Sequence, residues 1–312
     1  MIIATMNKTS TTGSGALRLT QWGLILAKGE DAAKFLHGQL TQDFVQLGLG
    51  EARLAGFCSA KGRLLANLIG WKNNEQEILL ALPAELLPAI LKRLSMFVMR
   101  AKCKLSDVSS EFNLWGLVDA ADWLGTQAPA QRWGRNQIGV DSVIRLPDAG
   151  GHSRWMLVQD ALAPAPALPP LAQADWDWLE AQSGLAWVLN ATSEQFVPQM
   201  LNLELLDGVN FQKGCYPGQE VVARSQYRGG IKRRTYLFEL DGEAKPGQEI
   251  FHSVDPGQPA GMVANAALRD GLSLVLAETK IAALSSGSLH LGSADGPLLR
   301  PQTMPYEFST EV

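Results

Sequence analysis

Lys213-Gly214-Cys215-Tyr216-Pro217-Gly218-Gln219-Glu220 sets a thiol between two glycines, with a lysine before it and a carboxylate after it. Pro217-Gly218 is a type II turn signal, because proline presets φ and glycine supplies a positive φ. Tyr216, directly before the proline, is pushed to an extended conformation. Cys215 is therefore expected at the shoulder of a tight turn, where its side chain is presented to a cleft. Beyond the turn, Arg224, Arg228, Lys232, Arg233 and Arg234 follow with no acid among them, in a chain whose net charge is −4. Gly229-Gly230 reads as a hinge within that basic run.

The balance of the chain limits what this segment can serve. A general nucleic-acid coat protein is basic, so an RNA contact here would have to be local. The 312 residues are enough for a large core or for two or three units sharing one. No apolar run reaches the length of a membrane span. Residues 1–15 are polar, lack the charged and apolar regions of a signal peptide, and read as a flexible tail. Cys58, Cys103 and Cys215 are widely spaced and odd in number, which argues against a disulfide framework and for a reducing, cytoplasmic setting. No CxxC, HExxH or paired Cys/His spacing signals a metal site.

Taken in order, strands alternate with helices that return over one face, which predicts an α+β fold. Leu17 to Lys28 reads as a strand bent near Trp22-Gly23. A helix opens at Gly29-Glu30-Asp31, with Ala32, Phe35, Leu36 and Leu40 at helical spacing. Strands are expected over 54–59, 64–71 and 77–82, the first two joined by the basic turn Ala60-Lys61-Gly62-Arg63. After Pro83 a helix carries Leu86, Leu87, Ile90, Leu91, Leu94 and Phe97 on its apolar face. Further strands are expected over 103–108, 114–118 and 154–158. The Ala/Pro run 161–174 is either an internal domain boundary or a long extended surface connection. A helix bearing Trp176 and Trp178 ends at Gly184, and 202–207 reads as helical. Short strands after Arg234, with turns at Lys245-Pro246-Gly247 and Asp255-Pro256-Gly257, predict a separate C-terminal antiparallel sheet or barrel. The resulting division is a tail (1–15), a main region (16–230) and a β-barrel (231–312).

A lone cysteine is ordinarily a small buried hydrophobe, and Cys58 and Cys103 are read so. Cys215 differs because glycines, a turn and a lysine surround it; nearby positive charge favours a thiolate. It lacks a base: His37, His152, His252 and His290 are all distant in sequence, so a Cys/His pair can arise only through the fold. The basic run is ordinarily a solvated face, but its clustering and the interleaved Tyr227 fit binding of a carboxylate or phosphate. Lys61-Gly62-Arg63 is a smaller candidate of the same kind. Trp22, beside a glycine, and Trp176, at a helix start, are residues that stack on planar rings, although core packing is the commoner use.

These residues together resemble the YgfZ family, relatives of the glycine cleavage T protein (aminomethyltransferase). The octapeptide followed by Val222-Ala223-Arg224 is similar to that family's KGCYxGQE signature at every fixed position. Gly29 to Asp43 resembles its N-terminal helix, Cys58-Ser59-Ala60-Lys61-Gly62-Arg63 its basic turn, and Phe196-Val197-Pro198-Gln199 with Leu201-Asn202-Leu203 its FIPQ region.

The resemblance implies a core of three parts around a central opening that binds tetrahydrofolate or a derivative, followed by a C-terminal β-barrel. It implies folate contacts at Trp22 and Trp176, Glu220 facing the pterin, Tyr216 and Gln219 as further cofactor-binding residues, and Arg224 and Arg228 for the glutamate tail or a partner anion. Lys213, Gly214 and Gly218 complete the motif. Support of iron–sulfur enzymes, among them a tRNA methylthiotransferase, is implied as the biological role, with Cys215 as the functional thiol. The T protein's acidic pair is replaced by Ala66 and Asn67. Loss of that proton carrier, an effect of roughly 100-fold or more, argues against independent turnover. A folate-dependent aminomethyltransferase and a direct tRNA-binding module remain the alternatives.

Overall fold

The computed structural model describes residues 13–227 and 230–308. Residues 1–12 of the expected tail and Arg228 of the basic run lie outside them, whereas Gly15 already belongs to a strand. The chain is α+β, as expected. Two five-stranded antiparallel sheets and a closed six-stranded barrel form its three parts.

The first sheet runs in the order Ala52–Cys58, Leu64–Asn74, Glu77–Pro83, Trp22–Lys28, Lys104–Asp107. Its central strands are nearly continuous apolar runs because both faces are covered. The second sheet runs Gly15–Arg18, Phe112–Val118, Arg154–Asp160, Asp141–Arg145, Arg135–Ile138. The expected single strand over 17–28 is thus two strands in two sheets. Leu19, Thr20 and Gln21 form the crossing, turned by a Trp22 N–H to Leu19 carbonyl bond of 3.2 Å.

The helix Leu87–Val98 buries Leu87, Ile90 and Leu94, with Pro88 harmlessly in its first turn. Phe97, expected on that face, is 44% exposed. The helix Ala32–His37 is shorter than its pattern predicts, and Leu40 lies beyond it. The Ala/Pro run is an attached surface connection. Ala16 donates to the Pro169 carbonyl and Leu171 donates back to Ala16, both at 2.9 Å, so the run lines the open edge of Gly15–Arg18.

The helix Gln173–Gln182 lies between the second sheet, where Trp176 covers Gly116, and the barrel, where Arg269 meets Asp175 and Trp178, which is why Trp176, Trp178, Leu179 and Ala181 are all buried although they do not share one stripe. Gly184, at φ +71°, closes its C-terminal end. The segment 202–207 forms a short 3-10 turn over Leu203–Leu206.

The barrel order is Arg233–Asp241, Leu272–Lys280, Asp255–Arg269, Glu249–His252, Leu289–Leu291, Leu298–Gln302, with the last strand pairing back to the first. Closure leaves no free edge. Its interior has a core of its own around Phe238, Ile250, Val263 and Val275. Its outer face, through Leu237, Ala264, Ala267, Leu274 and Leu276, joins the main core of the first sheet. Asp255-Pro256-Gly257 lies in an irregular strand start rather than a free turn. No helix among the described residues is long and apolar enough to cross a membrane.

Candidate functional site

Two places carry the chemistry, and the structure separates them. The first is the octapeptide. Gly218 sits at φ +80°, as the turn reading requires. A β-carbon on it would lie 2.5 Å from the Ser59 carbonyl oxygen and 2.6 Å from Gly62 Cα, and one on Gly62 would lie 2.8 Å from Val221 Cβ. The Lys61-Gly62-Arg63 turn and the octapeptide turn are therefore pressed backbone to backbone, and both glycines are obligatory. After the turn the chain enters a helix, Gln219–Tyr227, that the turn signals did not reveal. Gln199 of the FVPQ segment donates to the Val222 carbonyl at 2.8 Å, and Leu64 donates to the Phe196 carbonyl at 2.7 Å. The segments that resemble the family from distant parts of the chain thus meet here.

Lys213 is buried. Its ammonium donates to the His37 carbonyl and, at 2.8 Å, to the Leu40 carbonyl, and stands 4.8 Å from the centre of the Tyr216 ring. Burial pulls its pKa down to about 8, against the opposing pull of Asp43 and Cys215. Tyr216 is buried and its phenol is pushed upward by that burial. Cys215 is exposed, Cys103 half-buried and Cys58 buried; burial raises Cys103 to about 11 and Cys58 to about 12. Glu220 and Arg224 are exposed on the new helix, and Gln219 is half-buried at its start.

The second place is an apolar cavity of about 430 Å³ between the first sheet, the helix Gln173–Gln182 and the barrel. Its wall is made by Gln21 and Trp22, by Pro83 to Glu85, by Asp177, Glu180 and Ala181 of the helix Gln173–Gln182, by Leu185, Trp187 and Leu189, and by Asn265, Ala266 and Leu276 of the barrel. Trp22 and Trp187 meet edge to face with ring centres 4.7 Å apart. Glu180 locks Trp187: one carboxylate oxygen accepts from the indole N–H at 2.7 Å, and the other accepts from the fully buried Arg154. A register shift in the barrel between Val263 and Asn265 turns Asn265 toward the cavity, where its side-chain oxygen accepts from the Trp187 amide at 2.7 Å. Asp177 has its acidity weakened, first by burial and also by the nearby Glu180 charge, while a 2.7 Å bond from Gln173 works the other way.

Several expectations change. Trp176 is 1% exposed and does not line the cavity; its ring lies over Gly116, 2.5 Å from where a β-carbon would be, and under the Arg154 guanidinium at 5.2 Å. The tryptophan that joins Trp22 is Trp187, which the sequence reading did not single out. Its signal was faint: a tryptophan in an irregular apolar run just after a helix cap. Tyr216, Gln219, Glu220 and Arg224 are also absent from the cavity wall, so the octapeptide does not put Glu220 against a ligand held there.

The basic run is not a uniform strip either. Arg233 is paired with Glu278, and Arg234 with Glu204 at 2.7 Å, leaving Arg224 and Lys232 exposed among the described residues. A larger, open groove of about 910 Å³ runs beside Tyr227 and Phe211, but its arginines are paired too, Arg53 with Glu51 at 2.9 Å and Arg132 with Asp207 at 2.7 Å. Ala66 and Asn67 are both buried. Asn67 donates to the Ala186 carbonyl and accepts from the Val188 amide, each at 2.8 Å, and so clamps the segment that carries Trp187.

Two antiparallel sheets and a closed barrel in this arrangement are a fold shared with a solved aminomethyltransferase. The glycine cleavage system aminomethyltransferase T from Bartonella henselae superposes with a TM-score of 0.73 over 92% of this chain and 84% of its own, at 17% identity. No family model matches the chain. The tRNA-modifying protein YgfZ of Colwellia psychrerythraea is 32% identical over 249 residues, covering 77% of this chain and 74% of that protein. The protein of the same name from Edwardsiella ictaluri is 33% identical over 250 residues, covering 73% and 71%. The chain belongs to the YgfZ family.

Proposed function

We propose that this chain is a tetrahydrofolate-binding accessory protein of tRNA modification, acting in the cytoplasm on iron–sulfur enzymes such as a tRNA methylthiotransferase. The observation that carries the reading is the cavity walled by Trp22, Trp187 and Asp177. Its volume is in the range of small-molecule sites. A reduced pterin is a flat bicycle with N–H groups along one edge, and it fits an apolar wall carrying two indoles and a carboxyl group whose oxygens can accept from that edge. The names of the relatives point to tRNA modification.

Folate, when bound, supplies ring nitrogens that carry one-carbon groups. The protein's part is to bind and orient it: Trp22 and Trp187 pack against the ring and Asp177 takes the N–H edge, while Arg224, exposed and without an ion-pair partner among the described residues, takes an acidic partner. Asn67 cannot carry a proton as a carboxylate does and is already bonded on both sides, which favours an accessory role over aminomethyl transfer. The pairing of Arg233 and Arg234 weakens direct tRNA binding as the main activity. Cys215 is the functional thiol; a single thiol does not hold an iron–sulfur cluster, so a partner supplies the other ligands.

Titration with tetrahydrofolate, followed by tryptophan fluorescence, tests the reading. Wild type quenches and saturates, and Trp187→Phe binds about tenfold more weakly, a loss of about 1.4 kcal/mol. An unchanged signal at high ligand in wild type overturns it. Cys215→Ala is expected to fail to restore tRNA methylthiolation in a deletion strain, and full rescue removes the thiol from the mechanism.

A further inference from the structure

A base that the sequence could not supply for Cys215 stands, in the fold, against its neighbour Gly214. His37 ends the helix Ala32–His37 and its Nδ1 lies 2.9 Å from Asp43 Oδ1. Asp43 also accepts from the Val45 and Gln46 amides, each at 2.9 Å. Burial raises its pKa, but those amides and His37 outweigh burial and leave it below the ordinary value. An ionised Asp43 can only accept, so it fixes the proton on Nδ1 and leaves the Nε2 lone pair free. Nε2 faces the octapeptide: a β-carbon on Gly214 would lie 3.4 Å from it. The next residue is Cys215, whose side chain is exposed. Lys213, on the other side of Gly214, feels the charges of both Asp43 and Cys215. It is not the base, because its ammonium already donates to the His37 and Leu40 carbonyls. Its positive charge instead favours negative charge on the sulfur.

We infer that His37, oriented by Asp43, is the general base for Cys215, and that the thiol so activated exchanges with small disulfides. The inference rests on the reading of Cys215 as the functional thiol and adds how it is activated. Cys215 Sγ attacks one sulfur of the disulfide as its proton passes to His37 Nε2. The S–S bond breaks, the departing thiolate takes that proton from His37, and a mixed disulfide and one free thiol result. Atoms and electrons balance with the disulfide as the only co-reactant. The charged groups around the imidazole are Asp43 and Lys213, with Lys34 one turn back on its own helix.

Glutathione disulfide is the probe, and peptide mass spectrometry follows the Cys215 adduct apart from Cys58 and Cys103. At pH 6.5, His37→Gln is expected to slow adduct formation by about 10- to 100-fold, in line with the usual contribution of a positioned base. Asp43→Asn is expected to fall between the two. At pH 9, where an ordinary thiol is largely ionised, wild type and His37→Gln should agree within about twofold. Equal rates at pH 6.5 overturn the inference. An equal drop at both pH values also overturns it, because that marks altered access or folding. Loss of tRNA methylthiolation in Cys215→Ala, with normal reactivity in His37→Gln, removes the base and leaves the thiol's role standing.

Discussion

The octapeptide turn and the tryptophan cavity differ in how they are built. The turn is made from eight consecutive residues, and its geometry is set by local rules: a proline, a glycine at positive φ, and a second glycine turn packed against it. The cavity is made from five separate stretches of chain, and its wall is fastened by bonds between parts far apart in sequence, as the Trp187 amide is to Asn265 of the barrel and Glu180 to Arg154 of the second sheet. A site of the first kind can be recognised as a string. A site of the second kind exists only once the layers have packed, and it inherits the stability of that packing.

Three experiments press on that difference. The largest effect is expected at Gly116, beneath Trp176 and remote from the octapeptide. Gly116→Val drives a side chain into ring atoms 2.5 to 2.7 Å away and should cost about 3 kcal/mol or more in denaturant unfolding. Unaltered stability would mean that the helix Gln173–Gln182 is free to shift. Next comes independence of the two places. Trp187→Ala should weaken tetrahydrofolate by about tenfold or more while leaving the Cys215 adduct rate at its wild-type value, and Cys215→Ala should do the reverse. If either substitution affects both readouts, turn and cavity act as one site.

The smallest effect concerns Lys213, and it should be confined to the turn. Its folded pKa of about 8 lies below the 10.5 of an ordinary lysine. The unfolded chain therefore binds more protons between those values, and this group's contribution makes stability rise with pH across that window. Cys58 and Cys103, raised by burial, pull the other way above pH 9 in every variant, so urea unfolding between pH 7.5 and 10.5 should show the rise in the difference between wild type and Lys213→Met, and Trp187→Ala should keep the same pH profile as wild type.

Most of the fold was legible. The apolar runs over 54–59, 64–71 and 77–82 became adjacent strands, and the turn-punctuated C-terminal region became a closed barrel. What escaped did so for physical reasons. Arg135–Ile138 and Asp141–Arg145 are short and mix charges with apolar residues because one lies at a sheet edge, and Leu289–Leu291 is only three residues long. Gln219–Tyr227 follows so strong a turn signal that its helical spacing carried little weight. In the sites, the octapeptide's turn was readable, but His37 lies 178 positions before Cys215 in the numbering and only tertiary packing brings it to Gly214. For Trp176 core packing is the commoner use and the folate contact is implied by the family resemblance alone, because a tryptophan at a helix start looks the same in sequence whether it faces a cavity or fills the hollow over a glycine.

Asn67 carries a consequence for what this position can hold. Its side chain is a two-sided fastener, donating to Ala186 and accepting from Val188. Asn67→Asp would set a charged oxygen against the Ala186 carbonyl in a fully buried spot, at a cost of several kcal/mol. An acid at this place and the present course of residues 185–188 thus exclude each other: a carboxylate chemistry here would first need that part of the cavity wall to be rebuilt.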